Sequence, residues 1–133
     1  MLVRDVMVRK VVTTEPETTV RDAARIMTDN HVGCVIIKKN EHVVGIVTDR
    51  DILLKVAEGG TDFEVVPVET IMTRYVVHIG PEATLEKALK FMQENRIKKL
   101  PVLEREHLVG IITTTDIAGT EPELAKEIRF IRK

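Results

Sequence analysis

Cysteine occurs once in this chain of 133 residues, tryptophan not at all, tyrosine once and phenylalanine three times. The lone Cys34 excludes an intrachain disulfide and fits a reducing compartment. So few aromatics leave few platforms on which bases stack. A formal net charge of −1, with basic residues scattered, gives no field that draws nucleic acid or an anionic membrane. The densest basic cluster, Arg96, Lys98 and Lys99, is too short for a nucleic-acid stripe. No apolar run nears the ~18 residues of a membrane span and no leader pattern opens the chain, so a cytoplasmic location is expected. Glutamine is confined to Gln93 while Lys, Arg and Glu abound, a bias also found in heat-adapted proteins.

What is present is globular in character. Apolar residues make up 44% and charged residues 31% of the chain, which separates it from disordered sequences. Its length suits one compact domain or two small halves that share a core.

The organising feature is an internal repeat. Shifted by 65 positions, Met7–Ile52 aligns with Met72–Ile117 without a gap, and 18 of the 46 pairs are identical. The matches include Val11/Val76, Pro16/Pro81, Thr19/Thr84, Met27/Met92, Gly45/Gly110, Thr48/Thr113 and Asp51/Asp116. Two copies are too few for a solenoid.

Both copies predict the same elements. A short strand, Val11–Thr13 or Val76–His78, leads through a Pro-Glu turn into a helix. That helix carries Val20, Ala23, Ala24 and Met27, or Leu85, Ala88, Leu89 and Met92, at the spacing of one buried stripe. The apolar runs Val35–Ile37 and Val43–Val47 flank a polar "KKNEH", and Leu100–Leu103 and Leu108–Ile112 flank "EREH", each a hairpin signal. A helix from Thr48 to about Ala57 then stops at Gly59-Gly60. In the second copy Ala118-Gly119 shortens it, and Thr120 with Glu123 has the spacing of a capping box for one more helix. Glu58 to about Val66 would be the connector, giving a first repeat over 1–60, then linker, second repeat and C-terminal helix over 61–133. A unit of this size buries too little surface to stand comfortably alone. The expected fold is therefore α/β (α+β), with two β-α-β-β-α repeats packed about a pseudo-two-fold axis into one domain.

The turns "VTDRD" and "ITTTD" admit two readings. Thr-x-x-Asp at a helix start is a reciprocal cap, worth ~1 kcal/mol. The same atoms suit a nucleotide: the helix N-terminus favours phosphate, and an Asp one turn in takes ribose hydroxyls as acids do in dinucleotide folds. Gly45 inside a strand marks a bulge or a close backbone approach.

In the order of its motifs, with "VGIVTDRDI", "VGIITTTDI", "NRIKKLPVL" and the leading segments "VRDVM" and "VETIM", the chain resembles a tandem cystathionine β-synthase (CBS) domain pair, or Bateman module. The resemblance implies a stand-alone regulatory module with no enzymatic activity. Such modules bind adenosine-containing molecules (AMP, ADP, ATP or S-adenosylmethionine) in clefts between the repeats, with no other cofactor. By position, Asp51 would hold one ribose with Thr48 and Arg50 near its phosphate, and Thr13, Thr14, Val32, Gly33 and Cys34 would border the adenine. The second site would use Asp116, Thr113 and Thr115, with His78, Ile79, Ile97, Lys98 and Lys99. Arg50 faces Thr115 in the alignment and Gly33 faces Lys98, so unequal affinities are expected. The family also implies a homodimer through its helices, for which Ile52, Leu53, Val56 and Ala57 supply apolar surface. The C-terminal "EPELAKEIRFIRK" departs from the repeat, and the readings open for it are a specific contact with a protein target or a cover for the core. The alternative is a dimerising or docking module of the same fold without a nucleotide.

Other motifs weigh little. His31 and Cys34 have a metal-like spacing but no second pair. His42 and His107 fit solvated turns, and the matched methionines Met7, Met27, Met72 and Met92 fit a core. No nucleophile with a base stands out.

Overall fold

The computed structural model describes residues 1–128. The chain forms two compact units: a continuous one, Val12–Val76, and a composite one that joins Met1–Val11 to the chain from Val77 onward. Each is mixed α+β and built from one strand–helix repeat plus the leading segment of the other repeat.

In the continuous unit β1 (Thr13–Thr14) runs parallel to β2 (Cys34–Lys39), which pairs antiparallel with β3 (His42–Thr48). Between β1 and β2 lies α2 (Val20–Asn30), its Thr19 cap accepting from Asp22 N–H at 3.1 Å. The stripe residues Val20, Ala23 and Met27 are buried, so the periodic pattern faces the core as expected. The free edge of β3 is paired by the leading segment of the second repeat, where Ile46 and Thr73 exchange backbone hydrogen bonds at 3.0 and 2.9 Å. Covering the edge removes a template for unwanted pairing.

The composite unit repeats this plan. Helices α1 (Val3–Val6) and α4 (Leu85–Asn95) accompany the hairpin of β4 (Lys99–Glu104) and β5 (His107–Thr113). Val8 and Ile111 exchange backbone bonds at 2.8 and 2.9 Å, so here the first repeat's leading segment covers the β5 edge. The predicted strand Val76–His78 is reduced to a single parallel bridge between Ile79 and Val102, and in the first copy the strand begins at Thr13 instead of Val11.

Gly45 and Gly110 explain their own placement. A register shift next to each leaves Val44 or Val109 as an extra residue, so each hairpin carries a bulge. A Cβ on Gly45 would collide with Met72 Sδ and stand 3.1 Å from the Thr73 carbonyl; one on Gly110 would collide with Met7 Sδ and stand 3.1 Å from the Val8 carbonyl. The close approach that a strand glycine signals is thus made by a methionine of the leading segment. Both hairpins turn on two residues of positive φ, Asn40-Glu41 and Arg105-Glu106, the requirement of a type I′ turn.

Helix α3 (Asp49–Glu58) ends at Gly59, φ 73°, and buries none of its residues. Its counterpart α5 (Thr114–Thr120) is shorter and packs against α6 (Pro122–Ile128), which also reaches α4. The Thr120–Glu123 capping box does not form. Thr120 belongs to α5, and its hydroxyl donates to the Asp116 carbonyl at 2.9 Å, while Pro122 takes the first position of α6, where its missing N–H costs nothing. Residues 129–133 of the expected C-terminal helix lie outside the described residues.

Candidate functional site

Strand β3 delivers Thr48 in extended conformation to the start of α3, and the next three residues turn helical. Asp51 N–H donates to Thr48 Oγ1 at 3.2 Å, and Thr48 N–H donates to Asp51 Oδ2 at 2.8 Å. The second copy matches it: Asp116 N–H to Thr113 Oγ1 at 3.2 Å, and Thr113 N–H to Asp116 Oδ2 at 3.0 Å. Both turns are reciprocal caps. In each the cap engages one carboxylate oxygen, Oδ2, and leaves Oδ1 without a hydrogen bond among the described residues. The cap therefore fixes where the carboxylate points and leaves acceptor capacity for a further donor.

The start of β2 lies alongside. Cys34 pairs with Thr48, and the Gly33 carbonyl accepts from Asp49 N–H at 2.9 Å. Val32 N–H donates to the Met27 carbonyl at 3.0 Å, where α2 ends on His31 in left-handed conformation. These bonds leave the Val32 carbonyl and the Gly33 N–H without partners among the described residues. An adjacent acceptor and donor of backbone is what the edge of a purine can read. In the composite unit Ile97 N–H meets Met92 at 3.0 Å and the Lys98 carbonyl accepts from Thr114 N–H at 3.0 Å, which leaves the Ile97 carbonyl and the Lys98 N–H in the same state. Arg50 and Thr115 are exposed one residue before each Asp, Lys98 is exposed and Lys99 half-buried opposite Thr113.

The strand residues Thr13, Thr14, His78 and Ile79 lie farther along their sheets from these turns. Thr13 and Thr14 pair with Ile36 and Ile37, two and three residues beyond Cys34, so ~7–10 Å along the strand from the Cys34–Thr48 pair. They line a cavity of about 600 Å³ at the hairpin end. His78 and Ile79 likewise line the corresponding cavity of the composite unit. The structure thus brings together Val32, Gly33, Cys34, Thr48, Arg50 and Asp51, and separately Ile97, Lys98, Lys99, Thr113, Thr115 and Asp116, while both strand pairs stand apart.

One residue of weight escaped the sequence reading. Asp49, whose counterpart is the buried Thr114, adds a second carboxylate to the first turn of α3, where its Oδ1 accepts from Arg50 N–H at 2.8 Å. The signal was available, since the repeats differ at that position. Among the described residues no three His, Cys, Asp or Glu side chains gather as a metal site, and no helix is long and apolar enough to cross a membrane.

Comparison with known proteins gives the family. The CBS domain profile matches residues 3–58 and again 68–121, and the chain belongs to the CBS domain family as a tandem pair. It is 34% identical over 116 residues to the CBS domain-containing protein YhcV of Bacillus subtilis, covering 87% of this chain and 82% of that one. It is 36% identical over 112 residues to the inosine-5′-monophosphate dehydrogenase of Korarchaeum cryptofilum, but the match spans only 22% of the enzyme's length. Among solved structures, the CBS domain pair of protein MJ0100 in complex with 5′-methylthioadenosine and S-adenosyl-L-methionine superposes with a TM-score of 0.83. It is 25% identical, and the match covers 92% of this chain and 97% of that one.

Proposed function

We propose that the chain is a regulatory sensor of adenosine-containing ligands, with Asp51 and Asp116 each holding a ribose. The carrying observation is the half-used carboxylate: in both turns Oδ2 is spent on the cap and Oδ1 is not, beside an unpaired backbone donor and acceptor. A ribose hydroxyl donates to Oδ1, the base edge meets Val32–Gly33 or Ile97–Lys98, and the phosphate or sulfonium end extends toward Thr48 and Arg50 or toward Thr113 and Thr115. The adenosyl ligands of the MJ0100 pair support the class of ligand. Asp49 and Arg50 against Thr114 and Thr115, with Lys98 for Gly33, make the two turns electrostatically unlike, so their affinities differ. Regulation follows by linkage: a ligand that prefers one arrangement of the chain shifts it by its differential affinity.

The test is isothermal titration with AMP, ADP, ATP and S-adenosylmethionine of the wild type, Asp51→Asn and Asp116→Asn. Asparagine keeps an oxygen for the cap but removes the charge offered to ribose. Losing a hydrogen bond to a charged group costs about 1.5–3 kcal/mol, so affinity at the altered site falls ten- to a hundredfold or somewhat more while thermal stability holds. No heat with any of the four ligands overturns the reading.

That outcome would favour the second reading, a dimerising or docking module, for which there is a separate observation. On α3, Leu53 is 65% exposed, and Leu54 and Val56 are exposed as well. We infer that a second copy covers this face. Light scattering should show a dimer, and Leu53→Lys with Val56→Lys a monomer; a monomeric wild type sinks the inference.

A further inference from the structure

The hairpin-end cavities of the two units differ in their balance of charge and in their apolar wall, and from this we propose that the composite unit's cavity binds a small amphipathic anion, an apolar ring or branched chain bearing one phosphate or carboxylate. The cavity measures about 570 Å³, within the range of small-molecule sites. Its apolar wall is Ile79, Phe91 and Leu103, and its rim carries Lys87 and Arg105. Lys87 Nζ stands 5.6 Å from the centre of the Phe91 ring, close enough for the ring face to hold the ammonium at the wall.

Neither Lys87 nor Arg105 forms an ion pair among the described residues. Of the two lining acids, Glu82 is already matched by Arg4 at 2.8 Å, so only Glu104 opposes the two cations. In the continuous unit the balance reverses: Lys38 is taken by Glu41 at 3.3 Å, leaving Lys39 against Glu15 and Glu17. Phe91 and Leu103 are replaced there by Ile26, which does not line the cavity, and Lys38, and the wall becomes threonine-rich. The two cavities have the same place in their repeats, yet only one combines an apolar wall with unpaired cations. It is also distinct from the Asp116 turn, which lies at the other end of the β4–β5 hairpin, ~17 Å along the strand.

Titration of the full chain with phenyl phosphate, followed by backbone amide shifts, tests the proposal, with inorganic phosphate and benzyl alcohol as parallel probes. Saturable shifts centred on residues 78–83 and 103–105, weakened about tenfold or more by Lys87→Gln or Arg105→Gln, are expected. Asp116→Asn should leave them unchanged, which separates this cavity from the ribose reading. Both cationic side chains are exposed, so neither variant threatens folding. Absent shifts, shifts centred on residues 97–99 and 113–116, or equal binding of inorganic phosphate and phenyl phosphate would each overturn it.

Discussion

Helices α3 and α5 begin on the same cap, drawn from matching residues, and end in different circumstances. Helix α5 is lidded by α6 and sinks Ile117 to complete burial, while α3 has no such lid in its own unit and leaves Ile52, the counterpart, half-buried beside an exposed Leu53 and Leu54. The duplicated parts are those a unit needs to close on itself: cap, hairpin, bulge and buried stripe. What lies beyond the cap was free to diverge, and it is there that the two units acquire different surfaces.

Truncating the matched isoleucines should expose that difference most strongly. Ile117→Ala removes a fully buried side chain and is expected to cost about 2–5 kcal/mol, against clearly less for Ile52→Ala, as read by chemical denaturation. Equal losses would mean that α3 is covered after all, through an assembly. The glycine contacts come next. Gly110→Val forces a side chain onto Met7 and should cost about 1–3 kcal/mol, as should Gly45→Val against Met72. Met7→Ala in the Gly110→Val background should recover part of the loss, and strict additivity would deny the contact. Thr48→Ala and Thr113→Ala should each cost ~1 kcal/mol, because both turns are caps whatever else they hold. The smallest effect, and of opposite sign, is expected at the helix ends. His31 and Arg96 sit at φ 55° and 54°, where a side chain is disfavoured by about 1–2 kcal/mol. His31→Gly or Arg96→Gly should therefore raise the melting temperature by a few degrees at most, since glycine also loosens the unfolded chain.

Much of this was legible in the sequence because it depends on local pattern. The stripe of α2 and α4, the two hairpins and the stop at Gly59 follow from periodicity and turn chemistry, and the internal repeat allowed each to be read twice. The caps at Thr48 and Thr113 were equally visible. Three things were not. The exchange of leading segments depends on contacts between Met7 and Gly110, or Met72 and Gly45, more than 25 residues apart in each case, which no window along the chain samples. The Thr120–Glu123 spacing was misleading because the Thr120 hydroxyl had a nearer acceptor within its own helix. The places of Thr13 and Ile79 along their sheets were not, because register is fixed by pairing, which sets Thr13 two residues beyond Cys34 and Ile79 three beyond Lys99.

The composite unit has a further consequence, in the order of assembly. The continuous unit can close through contacts within its own stretch of chain, but Leu2 must meet Thr84 and Val8 must meet Ile111. Long loops are entropically slower to close. On a ribosome, which releases the chain from its N-terminal side, residues 1–11 are thus held waiting until the strand that carries Ile111 has been made.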